Sequence, residues 1–200
     1  TGSEAAIMLA TPAADAGGKG PELGPDLFRS LASEHPVDPH PNPELIGASV
    51  SAAWTRGLDG GCPKFGSWAK NPQFHVFPSR PTKVTIELRQ EMNAEGKGFG
   101  IGFIVVKAED DAAPKTTIVK AEMVYYTKPY KASKRIEAKV NLVPRKGGLP
   151  YIVIPSTYEP HQLTNFTLAV ATDDREMKFG WLGISQTVVV GTRVPRAPPL

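Results

Sequence analysis

The side chains of this 200-residue sequence that could carry out chemistry are few and widely separated. The one cysteine, Cys62, is followed by Pro63 and has no predicted helix N-terminus nearby to favour a thiolate. The histidines are spaced so that no two of them form a metal-ligand pattern with a carboxylate partner: His35, His40, His75 and His161. We therefore predict no catalytic residue, and the chain is not expected to be an enzyme on its own.

Carboxylates that could bind a cation fall in two predicted loops. Glu109, Asp110 and Asp111 follow one predicted strand, and Asp173 and Asp174 follow another. If successive strands alternate in direction, both loops share one end of the fold, where Ca²⁺ could collect its six to eight oxygen ligands. The same end would carry basic residues that could neutralise the acids in a solvated rim: Arg80, Lys115, Arg145 and Lys146. Calcium is thus a candidate cofactor, and ordinary surface charge is the alternative.

A group of basic residues interleaved with aromatic ones is predicted at the opposite end. It comprises Lys128, Lys131, Lys134 and Arg135 around Tyr126 and Tyr130. Such a group can hold anionic lipid headgroups or an acidic loop of a neighbouring domain. Each basic residue near an anionic surface contributes on the order of 1 kcal/mol, so attachment would be weak and salt-sensitive. A plain solvated hairpin is the alternative, and a net charge of only +3 argues against nucleic acid as a partner.

The elements that must position these residues are predicted to be strands. Twenty prolines and nineteen glycines are too many for a helical bundle and favour many strands with many turns. Eight strands are predicted, with residues 184–190 as a candidate ninth: 48–56, 73–77, 83–89, 99–107, 116–126, 134–142, 151–154 and 166–171. This spacing is typical of an antiparallel β-sandwich. The core is expected around Trp54, Phe74, Ile86, Phe103, Ile152 and Phe166.

Composition divides the chain into three parts. Residues 1–46 form a proline-rich extension, in which residues 25–32 have apolar residues at helical spacing and predict one short helix. Residues 47–192 form the sandwich, and residues 193–200 are expected to be a loose tail. A lone cysteine cannot form an internal disulfide, which favours a reducing, cytoplasmic compartment.

Four motifs in order resemble the C2-like domain III of calpain-type cysteine proteases. The first is a strand with Trp, then Gly-Gly-Cys, then Asn-Pro-Gln-Phe, and the second is Ile101-Gly102-Phe103. The third runs from Tyr151 to Pro160, and the fourth is Phe166-Thr-Leu168. We assign structural roles to the motif residues, since the glycines permit tight turns and the polar side chains can bond the backbone: Trp54, Gly60, Gly61, Cys62, Asn71, Pro72, Gln73, Phe74, Pro155, Ser156, Thr157, Glu159 and Pro160.

The resemblance implies a non-catalytic regulatory or interaction domain of a larger protease. Such a domain would pack on the protease core of the same parent chain and could mediate calcium-linked or phospholipid-linked association. The alternative is a structural scaffold domain of a catalytically inactive calpain-like protein, in cytoskeletal or membrane-associated assembly. In the family the protease Cys, His and Asn lie on other domains. Many calpains also carry an acidic loop after Asn-Pro-Gln-Phe, whereas residues 75–81 contain no acid here.

Overall fold

The computed structural model describes residues 45–111, 113–182, 187–189 and 192–193. Within them the chain forms twelve strands: β1 Ile46–Trp54, β2 Phe74–Phe77, β3 Thr82–Gln90, β4 Gly100–Lys107, β5 Met123–Tyr126, β6 Lys131–Ala132, β7 Arg135–Leu142, β8 Tyr151–Thr157, β9 Thr164–Thr172, β10 Lys178–Trp181, β11 Thr187–Val189 and β12 Thr192–Arg193. Three single 3₁₀ turns complete the described structure: Trp68–Lys70, Lys120–Glu122 and Lys146–Gly148. No helix in these ranges is long and apolar enough to cross a membrane.

The strands pair into two sheets. One has five strands in the order β12-β1-β9-β3-β7, and the other has seven, in the order β11-β10-β2-β8-β4-β5 with β6 also paired to β4. Every pairing is antiparallel. The predicted all-β, antiparallel sandwich is therefore confirmed.

The strand count differs from the eight or nine that the pattern predicts. Strands β6, β10 and β12 were not predicted, since runs of two to four residues carry too little alternation to be recognised. The strand predicted for 116–126 shortens to Met123–Tyr126 because a 3₁₀ turn at Lys120–Glu122 precedes it. The predicted helix at 25–32, most of the extension at 1–46 and most of the tail lie outside the described residues. The proposed division into 1–46, 47–192 and 193–200 stays a prediction.

Alternation along the strands builds the core between the sheets. In β3, Val84, Ile86 and Leu88 are fully buried while Lys83 and Arg89 are exposed, as predicted. From the β1 and β9 side, Trp54 contacts Phe166 with ring centroids 4.3 Å apart. From the seven-stranded sheet, the ring of Phe74 lies 6.1 Å from that of Phe179 and 6.3 Å from that of Phe166. Aromatic rings from both sheets thus meet at the centre of the sandwich.

One predicted core residue belongs elsewhere. Five of the six lie in the core between the sheets, but Ile152 faces the opposite side of β8 and packs in a second cluster. The members of that cluster are Trp68, Ile104, Val106, Ala108, Ile152 and Ile154. The reason is the strand period of two, which points Ile152 and Val153 to opposite faces. Strands β4 and β8 are consequently buried on both faces, as predicted for 99–107.

The register confirms which loops share an end. Thr82 pairs with Leu142, Lys107 with Tyr151 and Phe77 with Lys178. The loops after β2, β4, β7 and β9 therefore meet at one end of the sandwich. The loops after β1, β3, β5 and β8 meet at the other, where Trp54 pairs with Thr164 and Gly100 with Ala132.

The buried ring of Phe74 at the centre of the core leads to a testable prediction about stability. Replacing the fully buried Phe74 with Ala should lower the free energy of unfolding by about 3–5 kcal/mol, because it removes the ring and leaves a cavity. Urea denaturation followed by tryptophan fluorescence measures the change. Leu163→Ala, at a side chain 47% exposed, should stay within about 0.5 kcal/mol. Equal losses for the two variants would contradict the proposed core.

Candidate functional site

The Gly-Gly-Cys and Asn-Pro-Gln-Phe motifs fold into one tightly bonded locus. A Cβ atom on Gly60 would lie 2.0 Å from the carbonyl oxygen of Ser67, so only glycine fits there. Gly61 has φ +72° and its Cβ would lie 2.7 Å from the nitrogen of Pro160. The N–H of Cys62 donates to the carbonyl of Tyr158 at 3.1 Å. These contacts bring the loop after β1 against the turn after β8.

Asn71 bonds this locus from inside. Its Oδ1 accepts the N–H of Gly60 at 3.1 Å, and its Nδ2 donates to the carbonyls of Gly61 at 2.7 Å and Trp68 at 2.8 Å. The side chain is 3% exposed, so each of these bonds replaces water that cannot reach the loop. An amide is required because one side chain must both accept and donate.

Gln73 extends the same scheme to the long loop between β4 and β5. Its Nε2 donates to the carbonyl of Lys115 at 2.9 Å and its Oε1 accepts the N–H of Lys115 at 2.7 Å. A side-chain amide therefore takes the place of a strand neighbour for one residue of that loop. The next residue, Phe74, packs in the core between the sheets. Of two successive motif residues, the first therefore bonds the outer loop and the second fills the core.

The third motif was predicted to end a strand at Pro155, but β8 continues to Thr157. Pro155 pairs with Phe103 of β4, while the pairing of β8 to β2 runs only from Tyr151 to Val153. Proline is therefore placed where one ladder has already finished. Its carbonyl accepts the indole N–H of Trp54 at 3.2 Å, which links the two sheets.

The hydroxyl groups of Ser156 and Thr157 in this motif do not bond the backbone N–H groups that were predicted from the sequence. Instead, Thr157 Oγ1 donates to the carbonyl of Glu159 at 2.8 Å, and Ser156 Oγ lies 2.8 Å from the hydroxyl of Tyr130. Cys62 is 1% exposed and is a free cysteine, which agrees with the structural role assigned to it from the sequence.

Asp59 and His161 form a contact that the sequence pattern did not predict. His161 has φ +65°, and its Nδ1 lies 3.1 Å from Oδ2 of Asp59, which is 4% exposed. Burial alone would raise the pKa of Asp59, but hydrogen bonds from His161 and the N–H of Gly57 together lower it. The Asp59–His161 pair joins the loop after β1 to the turn after β8, the same two segments that Gly61 brings together, although the two residues are about a hundred positions apart in the sequence.

Two of the acids predicted for calcium, which follow β9, bond the loop between β2 and β3 and the start of β3. Asp174 is 1% exposed and accepts the N–H of Ser79 at 2.7 Å, and Asp173 accepts Thr82 Oγ1 at 2.7 Å and lies 3.1 Å from Arg80 Nη2. The hydrogen bond from Thr82 lowers the pKa of Asp173, and Arg80 adds to this effect. Burial alone would raise the pKa of Asp174, but hydrogen bonds from Ser79 and the loop backbone lower it.

The other two acids lie on the long loop between β4 and β5. Asp110 Oδ1 accepts the N–H of Ala113 at 3.2 Å. Asp111 is close enough to His75 to oppose the effect of burial, which lowers the pKa of that histidine. Within the described ranges, no three His, Cys, Asp or Glu side chains come together to hold a metal ion. Calcium binding at Asp110, Asp111, Asp173 and Asp174 stays a prediction.

One alternative predicted that Lys115 lies in a solvated rim, and the structure shows that it does not. It is 5% exposed, and its Nζ lies 2.8 Å from Glu122 Oε2 and 3.4 Å from Glu109 Oε2. The hydrogen bond from Lys115 lowers the pKa of Glu122 despite the opposing effect of burial. The sequence pattern did not predict that Lys115 is buried between two carboxylates. Glu109 lies six residues before it and Glu122 seven after it, and neither separation is a helix or strand repeat.

The predicted basic group is divided by its contacts. Lys128 Nζ lies 4.7 Å from the ring centroid of Tyr126. Arg135 is the first residue of β7 in the five-stranded sheet, where its Nε lies 3.3 Å from Glu87 Oε2 and its Nη2 3.6 Å from Glu137. Lys131 and Lys134 are exposed and make no ion pair within the described residues. Lys131 and Lys134 are therefore uncommitted, and Lys128 is engaged by the ring of Tyr126 alone within the described residues.

Fold and site together define an antiparallel β-sandwich domain whose motif residues hold loops in place. The family described as "Calpain large subunit, domain III" matches residues 50–171. "Serine/threonine-protein kinase 4 homolog B" of Dictyostelium discoideum is 31% identical over 145 residues, covering 70% of this chain and 12% of that protein. "Putative calpain-like cysteine protease A" of the same organism is 32% identical over 132 residues, covering 66% and 19%.

A third relative is "Calpain-like protease palB" of Emericella nidulans, 26% identical over 158 residues, covering 76% of this chain and 17% of that protein. This chain therefore spans less than a fifth of the length of these curated relatives. The chain belongs to the calpain large-subunit domain III family, and its matched residues form a non-catalytic domain of that family.

The buried Asp174 predicts a specific pH dependence. Its folded pKa lies below the unfolded value of about 3.9, so its contribution to stability is complete above that pH and is lost as pH falls through the folded pKa. Asp174→Asn should lower the free energy of unfolding by about 1.5–3 kcal/mol at pH 7, through weakened charge-assisted bonds. The difference from the parent chain should shrink below about pH 4.

Urea unfolding at pH 7, 5 and 3 measures this difference. Glu176→Gln, exposed in the same loop, is the control and should change the unfolding free energy by no more than about 0.5 kcal/mol. A loss at Asp174 that is the same at all three pH values would show that the carboxylate charge has no part in it.

Proposed function

We propose that this chain is a regulatory and interaction domain that packs on the catalytic domain of its parent protein. The supporting observation is that the same kind of segment occurs in a relative named as a protein kinase and in relatives named as calpain-like proteases. A domain that accompanies two catalytic classes contributes something other than the chemistry of either. Binding, positioning or recruitment are contributions that both classes could use.

The uncommitted lysines indicate how association with an anionic surface would occur. Lys131 and Lys134 lie in and beside the short strand β6, at the end of the sandwich opposite Asp173 and Asp174. Two such charges near phospholipid headgroups would contribute about 2 kcal/mol, which gives weak, reversible binding. A calcium-linked mode would draw first on Asp110 and Asp111, which are exposed, since Asp173 and Asp174 are more buried and bond the chain around Ser79 and Thr82. On this proposal the domain works in the cytoplasm at the periphery of membranes.

Cosedimentation with vesicles tests this proposal. Vesicles of phosphatidylcholine with 30% phosphatidylserine should sediment more of the chain than pure phosphatidylcholine, with or without 1 mM calcium. Lys131→Glu combined with Lys134→Glu should weaken binding about 30-fold, the equivalent of about 2 kcal/mol. Lys83→Glu combined with Lys139→Glu reverses the same charge on the five-stranded sheet and should change binding less than threefold.

The calcium arm separates the two modes of association. Binding that appears only with calcium and disappears in Asp110→Asn with Asp111→Asn would assign the attachment to the acidic end. Equal sedimentation with neutral and anionic vesicles would remove the lipid-linked part of the proposal. Packing on the catalytic domain would then be tested separately, by adding this chain to the purified catalytic domain.

A further inference from the structure

Four aromatic rings form a row on the outer face of the seven-stranded sheet. The contacts run in the order Phe65, Tyr158, Tyr130 and Tyr126, with ring centroids 6.4, 5.9 and 6.2 Å apart. The rings come from three separate segments: the loop after β1, the turn after β8, and the β5 strand with its following loop. Tyr158 is 41% exposed and the other three are half-buried. We call these four residues the aromatic row.

The middle of the aromatic row is fixed by the sheet beneath it. A Cβ on Gly102 would lie 2.4 Å from the ring of Tyr130, so the glycine makes room for that ring on β4. The hydroxyl of Tyr130 lies 2.8 Å from Ser156 Oγ, which holds the ring in one orientation. A preformed row loses little conformational entropy when a ligand binds, and rigid tyrosines suit such surfaces.

Cations lie at both ends of the aromatic row. Lys64 Nζ is 5.9 Å from the ring centroid of Phe65, and Lys128 Nζ is 4.7 Å from that of Tyr126. The segments 62–71, 126–135 and 157–160, which supply the rings, contain one acid, Glu159, and six basic residues, of which Arg135 pairs with Glu87 of the other sheet. Neither lysine makes an ion pair within the described residues, so both charges remain available to a ligand. A ligand for this surface should therefore be anionic.

The geometry of the rings selects among anionic ligands. Neighbouring rings are inclined by 82°, 58° and 63°, so they do not present parallel faces on which bases would stack. The spacing of about 6 Å is close to the roughly 6.6 Å between alternate side chains of an extended peptide. The hydroxyls of Tyr126 and Tyr158 have no hydrogen-bond partner within the described residues and could donate to carboxylates or peptide carbonyls.

We propose that the aromatic row binds an acidic peptide segment in extended conformation. Alternate apolar side chains of the peptide lie between the rings, and its carboxylates face Lys64 and Lys128. This inference rests on the proposed function, of which it names the partner class: an acidic, extended segment of a second protein. The charge on the surface and the spacing of the rings carry it.

Fluorescence polarisation with synthetic peptides tests it on the 200-residue chain. The probe is a fluorescein-labelled, capped peptide of alternating Glu and Leu, seven residues long, and its matched control has Lys in place of Glu. We expect the acidic probe to bind with a Kd of about 10–100 μM and at least tenfold more tightly than the control peptide. Binding should weaken several-fold in 0.5 M NaCl.

Variants locate the binding. Lys64→Glu with Lys128→Glu, and separately the exposed Tyr158→Ala, should each weaken binding at least tenfold. Lys83→Glu with Lys139→Glu should stay within twofold. Circular dichroism checks that each variant is folded, and Tyr158→Phe, which keeps the ring, should retain most of the affinity and exclude a general loss of structure.

Two kinds of outcome would overturn the inference: failure of the peptide test, and assignment of the row to lipid. Equal affinity for the acidic and basic peptides, or no binding up to 1 mM, would show that the row is not a peptide site. Sedimentation with anionic vesicles that depends on Lys64 and Tyr158, without binding of the acidic peptide, would assign the row to lipid instead. Neither outcome bears on the packing of the domain against a catalytic domain, so the proposed function is tested independently.

Discussion

The constraint on which the rest of the structure depends is that the central strands β4 and β8 of the seven-stranded sheet are buried on both faces. Every residue of β8 is buried, and six consecutive residues of β4 are buried as well. One face packs on the five-stranded sheet, but within the described residues no second sheet covers the other. Loops must exclude water there, and a loop brings backbone groups that need hydrogen-bond partners. Long connections with internal side-chain bonding follow from that requirement.

The motif residues supply the hydrogen-bond partners that the backbone of these covering loops needs. Asn71 supplies three hydrogen bonds to the loop after β1, and Gln73 supplies two to Lys115 of the loop after β4. Lys115 in turn lies between Glu109 and Glu122. Its positive charge is buried under the loop, and the two carboxylates compensate it there. Trp68 and Ile118 provide the apolar side of the same cover. A family signature can therefore be specific without marking an active site.

Much of this could be predicted from the sequence where one physical signal dominated. Strict alternation placed Val84, Ile86 and Leu88 correctly, and an unbroken apolar run identified β4 as buried on both faces. The failures arose where tertiary contacts decide. Ile152 was assigned to the wrong core because an apolar run does not say which residue faces which layer. The buried state of Lys115 could not be predicted, since its partners come from loops whose path the pattern does not give.

The same constraint limits where the domain can bind partners. Much of the outer face of the seven-stranded sheet is covered by loops, and the described β7 edge carries alternating charges that discourage strand addition. Near β5 and β6, the exposed side chains Tyr158, Lys128 and Lys131 emerge from this cover. Because the glycine at position 102 leaves space for Tyr130, the aromatic groups lie on this surface without opening the cover beneath them. The loops that close the sandwich thus also supply the rings and cations that we propose for recognition.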